Sequence, residues 1–159
     1  MVLKIDPIAL FMQEHATTLL HLSALNRASR SLRDNGFTSD AFTRLGNAVA
    51  FLHNEVGDHN TREEEALFPV LDRYVEGPTA VMRKEHKVLR RELKHLEVAT
   101  RTLERRKTSK RALKAACTQS HVVIQEFVNH IHKENNIVFP LVQKFLTKDA
   151  LREIARRMV

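Results

Sequence analysis

Apolar residues recur along most of this chain at the spacing of one helix face. Ile8, Phe11, Leu19 and Leu22 share a side, and Asn35-Gly36 ends their pattern. Asp6-Pro7 supplies the start, an N-cap followed by proline at the first helical position. A second helix opens near Thr38–Asp40, carries Leu52, Val56 and Ala66, and runs toward Tyr74, with Pro69 kinking it or ending it soon after. Glu76-Gly77-Pro78 is the next break. The third helix opens at Pro78-Thr79, carries Met82, Leu89 and Leu93, and ends near Arg106. Thr108-Ser109 caps a fourth, with Val123, Phe127, Ile137 and Leu141 on one face, reaching about Phe145. Thr147 caps a short fifth helix through Arg157. No strand pattern, linker or low-complexity tract interrupts this series. The predicted fold class is all-α, an up-down-up-down four-helix bundle with a short C-terminal fifth helix, in a single domain over residues 1–159.

Polar residues break the apolar faces at regular places. His59 to Pro69 reads His-Asn-Thr-Arg-Glu-Glu-Glu-Ala-Leu-Phe-Pro, and His130 to Pro140 reads His-Ile-His-Lys-Glu-Asn-Asn-Ile-Val-Phe-Pro. One shift of 71 residues relates the two stretches, and also takes Pro7 to Pro78, Glu14-His15 to Glu85-His86 and Glu55 to Glu126. A fixed offset without gaps points to an internal duplication. Within each copy a glutamate comes four residues after a histidine, as His59/Glu63 and His130/Glu134. One helical turn separates such a pair, so both side chains can reach a single metal ion.

Nine histidines are present, and most histidines on helices are surface or satisfied core residues. Projection at about 100° per residue sorts them. His15, His59, His86 and His130 fall on the apolar faces; His95, His121 and His132 point away; His21 and His53 lie at the boundary. Glu63 and Glu134 join the inward four. Two carboxylates among four imidazoles would repel each other in a core without cations, so a metal-free polar network is the weaker reading. Imidazole with carboxylate suits iron, manganese or zinc, and six ligands are too many for one tetrahedral zinc. They divide over two metals with the glutamates bridging, which makes a dinuclear non-haem iron site the simplest reading. Glu55 and Glu126, one turn before His59 and His130, are candidates to accept a hydrogen bond from a ligand imidazole; the alternative is an exposed carboxylate. Arg90, one turn past His86, is a candidate to line a channel for small anions or to neutralise a glutamate. Glu64 and Glu65 read as solvated.

Composition narrows the class further. The single cysteine, Cys117, excludes an internal disulfide and any Cys-rich zinc site, and makes a reducing cytoplasm the expected compartment. No apolar run is long enough to cross a membrane, and the N-terminus shows no signal-peptide pattern. The net charge of +7 is concentrated between Arg101 and Lys114, with seven basic residues against Glu104 alone. That turn is a candidate surface for an anionic partner, though a solvated loop is the simpler account. No stacking aromatics or recognition helix accompany it, which argues against nucleic acid.

Together, Glu14-His15, His59 to Pro69, Glu85-His86 and His130 to Pro140 resemble the signature of the hemerythrin-like, or HHE cation-binding, domain across nearly the whole chain. The resemblance implies a bundle holding two irons, bridged by carboxylates and an oxo or hydroxo group. It also implies binding or sensing of O2, NO or iron. A redox enzyme at the same site is the alternative, through peroxide disproportionation, protection from nitrosative or oxidative stress, or iron handling. A metal-free helical interaction module is the third reading. Oxygen-carrying members place a fifth histidine four residues after the first on helix three, where this chain has Arg90. That departure points away from reversible oxygen carriage, toward members linked to nitrosative stress, iron–sulfur repair or iron sensing.

Overall fold

The computed structural model describes residues 6–159. They are all helix and turn, with no strand. Helix α1 spans Pro7–Asn35, and the Asp6 side chain accepts from the amides of Ile8 and Ala9 at its start. Gly36 ends it at φ 78°, a left-handed conformation that glycine adopts without a Cβ clash. The second rod is segmented into α2 (Ser39–Phe51), a π turn (Leu52–Val56), α3 (Gly57–Arg62), a second π turn (Glu63–Leu67) and α4 (Phe68–Leu71). It stops three residues short of Tyr74. Helix α5 is Pro78–Arg105; α6 is Lys110–Lys133 and continues through a π turn (Glu134–Val138) into α7 (Phe139–Phe145). The short α8, Lys148–Arg157, opens on Thr147, whose hydroxyl accepts from the Ala150 amide.

Two of the π turns begin at Glu63 and Glu134, 71 residues apart. In each, a phenylalanine amide donates five residues back, Phe68 to the Glu63 carbonyl and Phe139 to the Glu134 carbonyl. Pro69 and Pro140 come next in the chain. A proline has no N–H for the carbonyl one turn behind it and crowds that carbonyl, so the preceding turn widens. The widening inserts one residue into the helical register. Projection at a uniform angle therefore misplaces residues beyond the insertion. Ile137, predicted to face the core, is 53% exposed, and Val138 is buried in its place. Likewise Val142 rather than Leu141 is fully buried.

Helix α1 packs on α2 and α6, and α5 packs on α6 and α2, closing a four-rod ring. The core has two apolar halves. One gathers Leu22, Leu25, Leu45, Leu52, Leu89, Leu96, Val123 and Phe127. The other gathers Ile8, Phe11, Leu67, Phe68, Met82, Phe139 and Val142, and is closed by Ala150 and Ile154 of α8. Each buried Leu or Phe contributes about 1.5–3 kcal/mol against leaving it exposed. Along every rod the inward histidine falls between the residues of the two halves. A polar layer thus crosses the bundle with dry packing above and below it.

Candidate metal centre

His15, His59, Glu63, His86, His130 and Glu134 all lie in this layer, each no more than 5% exposed. They form two overlapping groups. His15, His59, Glu63 and Glu134 present donor atoms within 4.8 Å of one another, and so do Glu63, His86, His130 and Glu134. Both glutamates belong to both groups. Glu134 turns Oε2 toward His15 Nε2 at 3.0 Å and Oε1 toward His130 Nε2 at 2.8 Å. Glu63 Oε1 lies 2.9 Å from His59 Nε2 and 3.6 Å from His86 Nε2.

The four rings are oriented from behind. His59 Nδ1 lies 2.6 Å from Glu14 Oε2, and His130 Nδ1 lies 2.8 Å from Glu85 Oε2. His86 Nδ1 is 2.8 Å from Glu64 Oε1, and His15 Nδ1 is 2.7 Å from Asn135 Oδ1. Every acceptor is an oxygen, so each ring donates from Nδ1–H and turns Nε2 toward the centre. Arg62 pairs with Glu14 at 2.9 Å, and Lys133 pairs with Glu85. These cations and the imidazoles hold both carboxyls below their usual range, against the opposing effect of burial.

Toward the centre the picture reverses. Among the described residues, His59 Nε2 and all four oxygens of Glu63 and Glu134 are buried without a hydrogen-bond partner. Buried polar atoms are otherwise nearly always satisfied, and an unpaired buried charge costs several kcal/mol. The protonation balance reflects the same crowding. Burial pushes Glu63 well above the usual carboxyl range, and the nearby Glu134 charge pushes it further. Burial also works to raise Glu134, but His130, His15 and His86 hold it well below that range. Burial disfavours a charged His130, yet Glu134 and Glu85 raise it to about 9. Two carboxylates ionise together here only where positive charge joins them. Six convergent N and O donors, with the tautomers set from behind, fit a pair of borderline cations such as iron.

The remaining sequence candidates lie elsewhere. Glu55 and Glu126 are exposed; the carboxylates behind His59 and His130 are Glu14 and Glu85. The candidacy of Glu55 and Glu126 behind those rings is not met, and the alternative reading, an exposed carboxylate, holds for both. Glu64, expected in solvent, backs His86 and lies 3.4 Å from Arg90. The repeat singles out Glu14-His15 and Glu85-His86. It does not convey that the glutamate serves the histidine on the neighbouring rod, not its own. His53 and His95 are mostly exposed against Glu97 and Glu92, and His21 stacks on Phe51. Arg90 also lines a cavity of about 320 Å³ with Leu52, Asn60, Leu89, Leu93 and Phe127. It opens beside the π turn at Leu52–Val56, which the second copy replaces with regular helix. Cys117 is half-buried, donates to the Ser29 carbonyl, and has its pKa pushed up by burial.

The hemerythrin HHE cation-binding domain matches residues 6–142. The chain belongs to this family. Its layer of buried histidines and glutamates lies wholly within the matched span. Similar curated proteins include the iron-sulfur cluster repair protein YtfE of Yersinia pseudotuberculosis serotype IB (strain PB1/+) and that of Yersinia pestis (strain Pestoides F). Each is 30% identical over 100 residues, covering 60% of this chain and 45% of the relative. The match thus spans under half the length of those relatives. As in other HHE domains, the expected cargo is a cation, and the site is of a kind that suits iron. Among the described residues no helix is long and apolar enough to cross a membrane.

Proposed function

We propose that this hemerythrin HHE protein holds two non-haem irons and binds or senses a small ligand there: O2, NO or iron itself. His15 and His59 hold one iron, His86 and His130 the other, and Glu63 and Glu134 bridge them. The observation that carries the reading is the set of five orphaned buried atoms at the meeting point of the two groups. Two irons would supply redox-active Lewis-acid chemistry. The chain's own contribution is orientation and exclusion of water. Glu14, Glu85, Glu64 and Asn135 fix the rings, and the apolar halves keep the layer dry. The cavity at Leu52, Asn60 and Arg90 offers a small ligand an approach from the side of the second and third rods. We read the duplicated halves as one domain working in a reducing cytoplasm.

A second reading makes the same site a redox enzyme acting on peroxide or handling iron. The name of the YtfE relatives, iron–sulfur cluster repair, favours it. Iron content and the visible to near-ultraviolet spectrum of aerobically purified protein test the first reading. Two irons per chain with ferric charge-transfer bands are expected, and a chain purified without metal and unable to take it up would defeat both readings. Rapid oxygen release from added peroxide would favour the second. Stable adduct formation with NO and no turnover would favour the first.

A further inference from the structure

Behind the four rings, the two halves of the centre differ in the type of one acceptor. The shift of 71 residues carries His15 to His86, but it carries Glu64 to Asn135. Both residues do the same job. Glu64 Oε1 sits 2.8 Å from His86 Nδ1, and Asn135 Oδ1 sits 2.7 Å from His15 Nδ1. The other two rings are matched, since Glu14 and Glu85 both present carboxylates to His59 and His130. His86 and His130 therefore each donate to a carboxylate. His15 and His59 share one carboxylate and one neutral amide.

A charged acceptor on Nδ1–H draws the proton away from the ring and makes Nε2 a stronger donor to metal; a neutral amide does so less. Arg90 offsets little of the Glu64 charge, because its contact is 3.4 Å long and its side chain is 52% exposed.

We propose that the Glu64/Asn135 difference makes the two metal positions unequal, with the His86–His130 position binding its metal more tightly and the His15–His59 position more weakly. Glu64 and Asn135 are positioning residues that act through His86 and His15. This rests on the dinuclear reading above, and gives the His15–His59 position the more exchangeable metal.

The test uses near-isosteric exchanges in the full chain. Protein stripped with a chelator is titrated with cobalt(II) without oxygen, and binding is tracked by visible absorption and calorimetry. Asn135→Asp is expected to tighten the weaker of two binding steps by about 10–100-fold, and Glu64→Gln to loosen the tighter step by a similar factor. A gain in affinity cannot arise from damage to the fold, and circular dichroism checks both variants. The proposal is overturned if neither exchange moves its step, or if Asn135→Asp acts on the tighter one. A wild-type chain that takes up fewer than two cobalt ions would instead defeat the dinuclear reading itself.

Discussion

Glu134 and His15 meet across the bundle, Oε2 to Nε2, at 3.0 Å. The same carboxylate faces His130 through its other oxygen at 2.8 Å. An imidazole offers one nitrogen to one metal, whereas a carboxylate so placed offers one oxygen to each of two. Removing Glu134 or Glu63 should therefore remove more than one bond. Glu63→Ala and Glu134→Ala are each expected to lower iron content further than any single substitution of His15, His59, His86 or His130. Thermal stability of the loaded protein should fall with it, since metal bound to the folded state adds to folding free energy. Iron analysis and melting curves on the six variants decide. Two retained irons in both glutamate variants would rule out bridging.

A chelator should change how stability responds to pH. In the folded chain without metal, His130 titrates at about 9 against an ordinary 6.5. A raised value means that the folded state holds its proton more tightly than the unfolded one. The resulting stability, up to about 3 kcal/mol, is full below pH 6.5 or so and is lost as pH rises through about 9. Glu63 is also raised, so its contribution is lost in the same direction. Glu134 is depressed, and its contribution disappears only as pH falls into acid. Stripped protein should thus melt at lower temperature as pH rises from about 6.5 to 9, while loaded protein, whose ligands are already deprotonated, should not. Parallel pH curves with and without chelator would contradict this.

The register shift after Glu134 makes a prediction of its own. Val138 is buried and Ile137 is 53% exposed. Val138→Ala should destabilise by about 1–3 kcal/mol, and Ile137→Ala should stay within about 0.5 kcal/mol. Denaturant midpoints measure both. The reverse order would restore a regular helix through Pro140.

This pair also marks the limit of what the chain reveals by itself. Asp6-Pro7, Asn35-Gly36, Gly77-Pro78 and Thr147 place helix ends well, because caps and breaks are local chemistry. His15 and His86 can be sorted because α1 and α5 carry no π turn, and His130 because it precedes the one that begins at Glu134. Ile137 and Leu141 cannot, because a proline's effect on the turn behind it is absent from uniform projection. Glu14 and Glu85 stand out in the repeat, yet their role depends on a ring 45 residues away on another rod. Helical periodicity predicts which face a residue occupies, but not which neighbouring rod lies across from it.

The carboxylates behind the rings give the sharpest contrast between support from the same helix and support from across the bundle. Glu14 accepts from His59 at 2.6 Å, and Glu85 accepts from His130 at 2.8 Å. Glu55 and Glu126 are exposed, one turn before the same two histidines. Replacing a partner of this kind commonly costs about 10–100-fold in metal affinity, because the ring loses both its orientation and part of its basicity. Glu14→Gln and Glu85→Gln are therefore expected to weaken cobalt(II) binding by that range while leaving the helical content intact. Glu55→Gln and Glu126→Gln should bind as the parent does. Calorimetric titration of the four variants separates the cases. If Glu55→Gln weakened binding as much as Glu14→Gln, the support for His59 would have to run along its own helix, and the cross-bundle contact would lose its role.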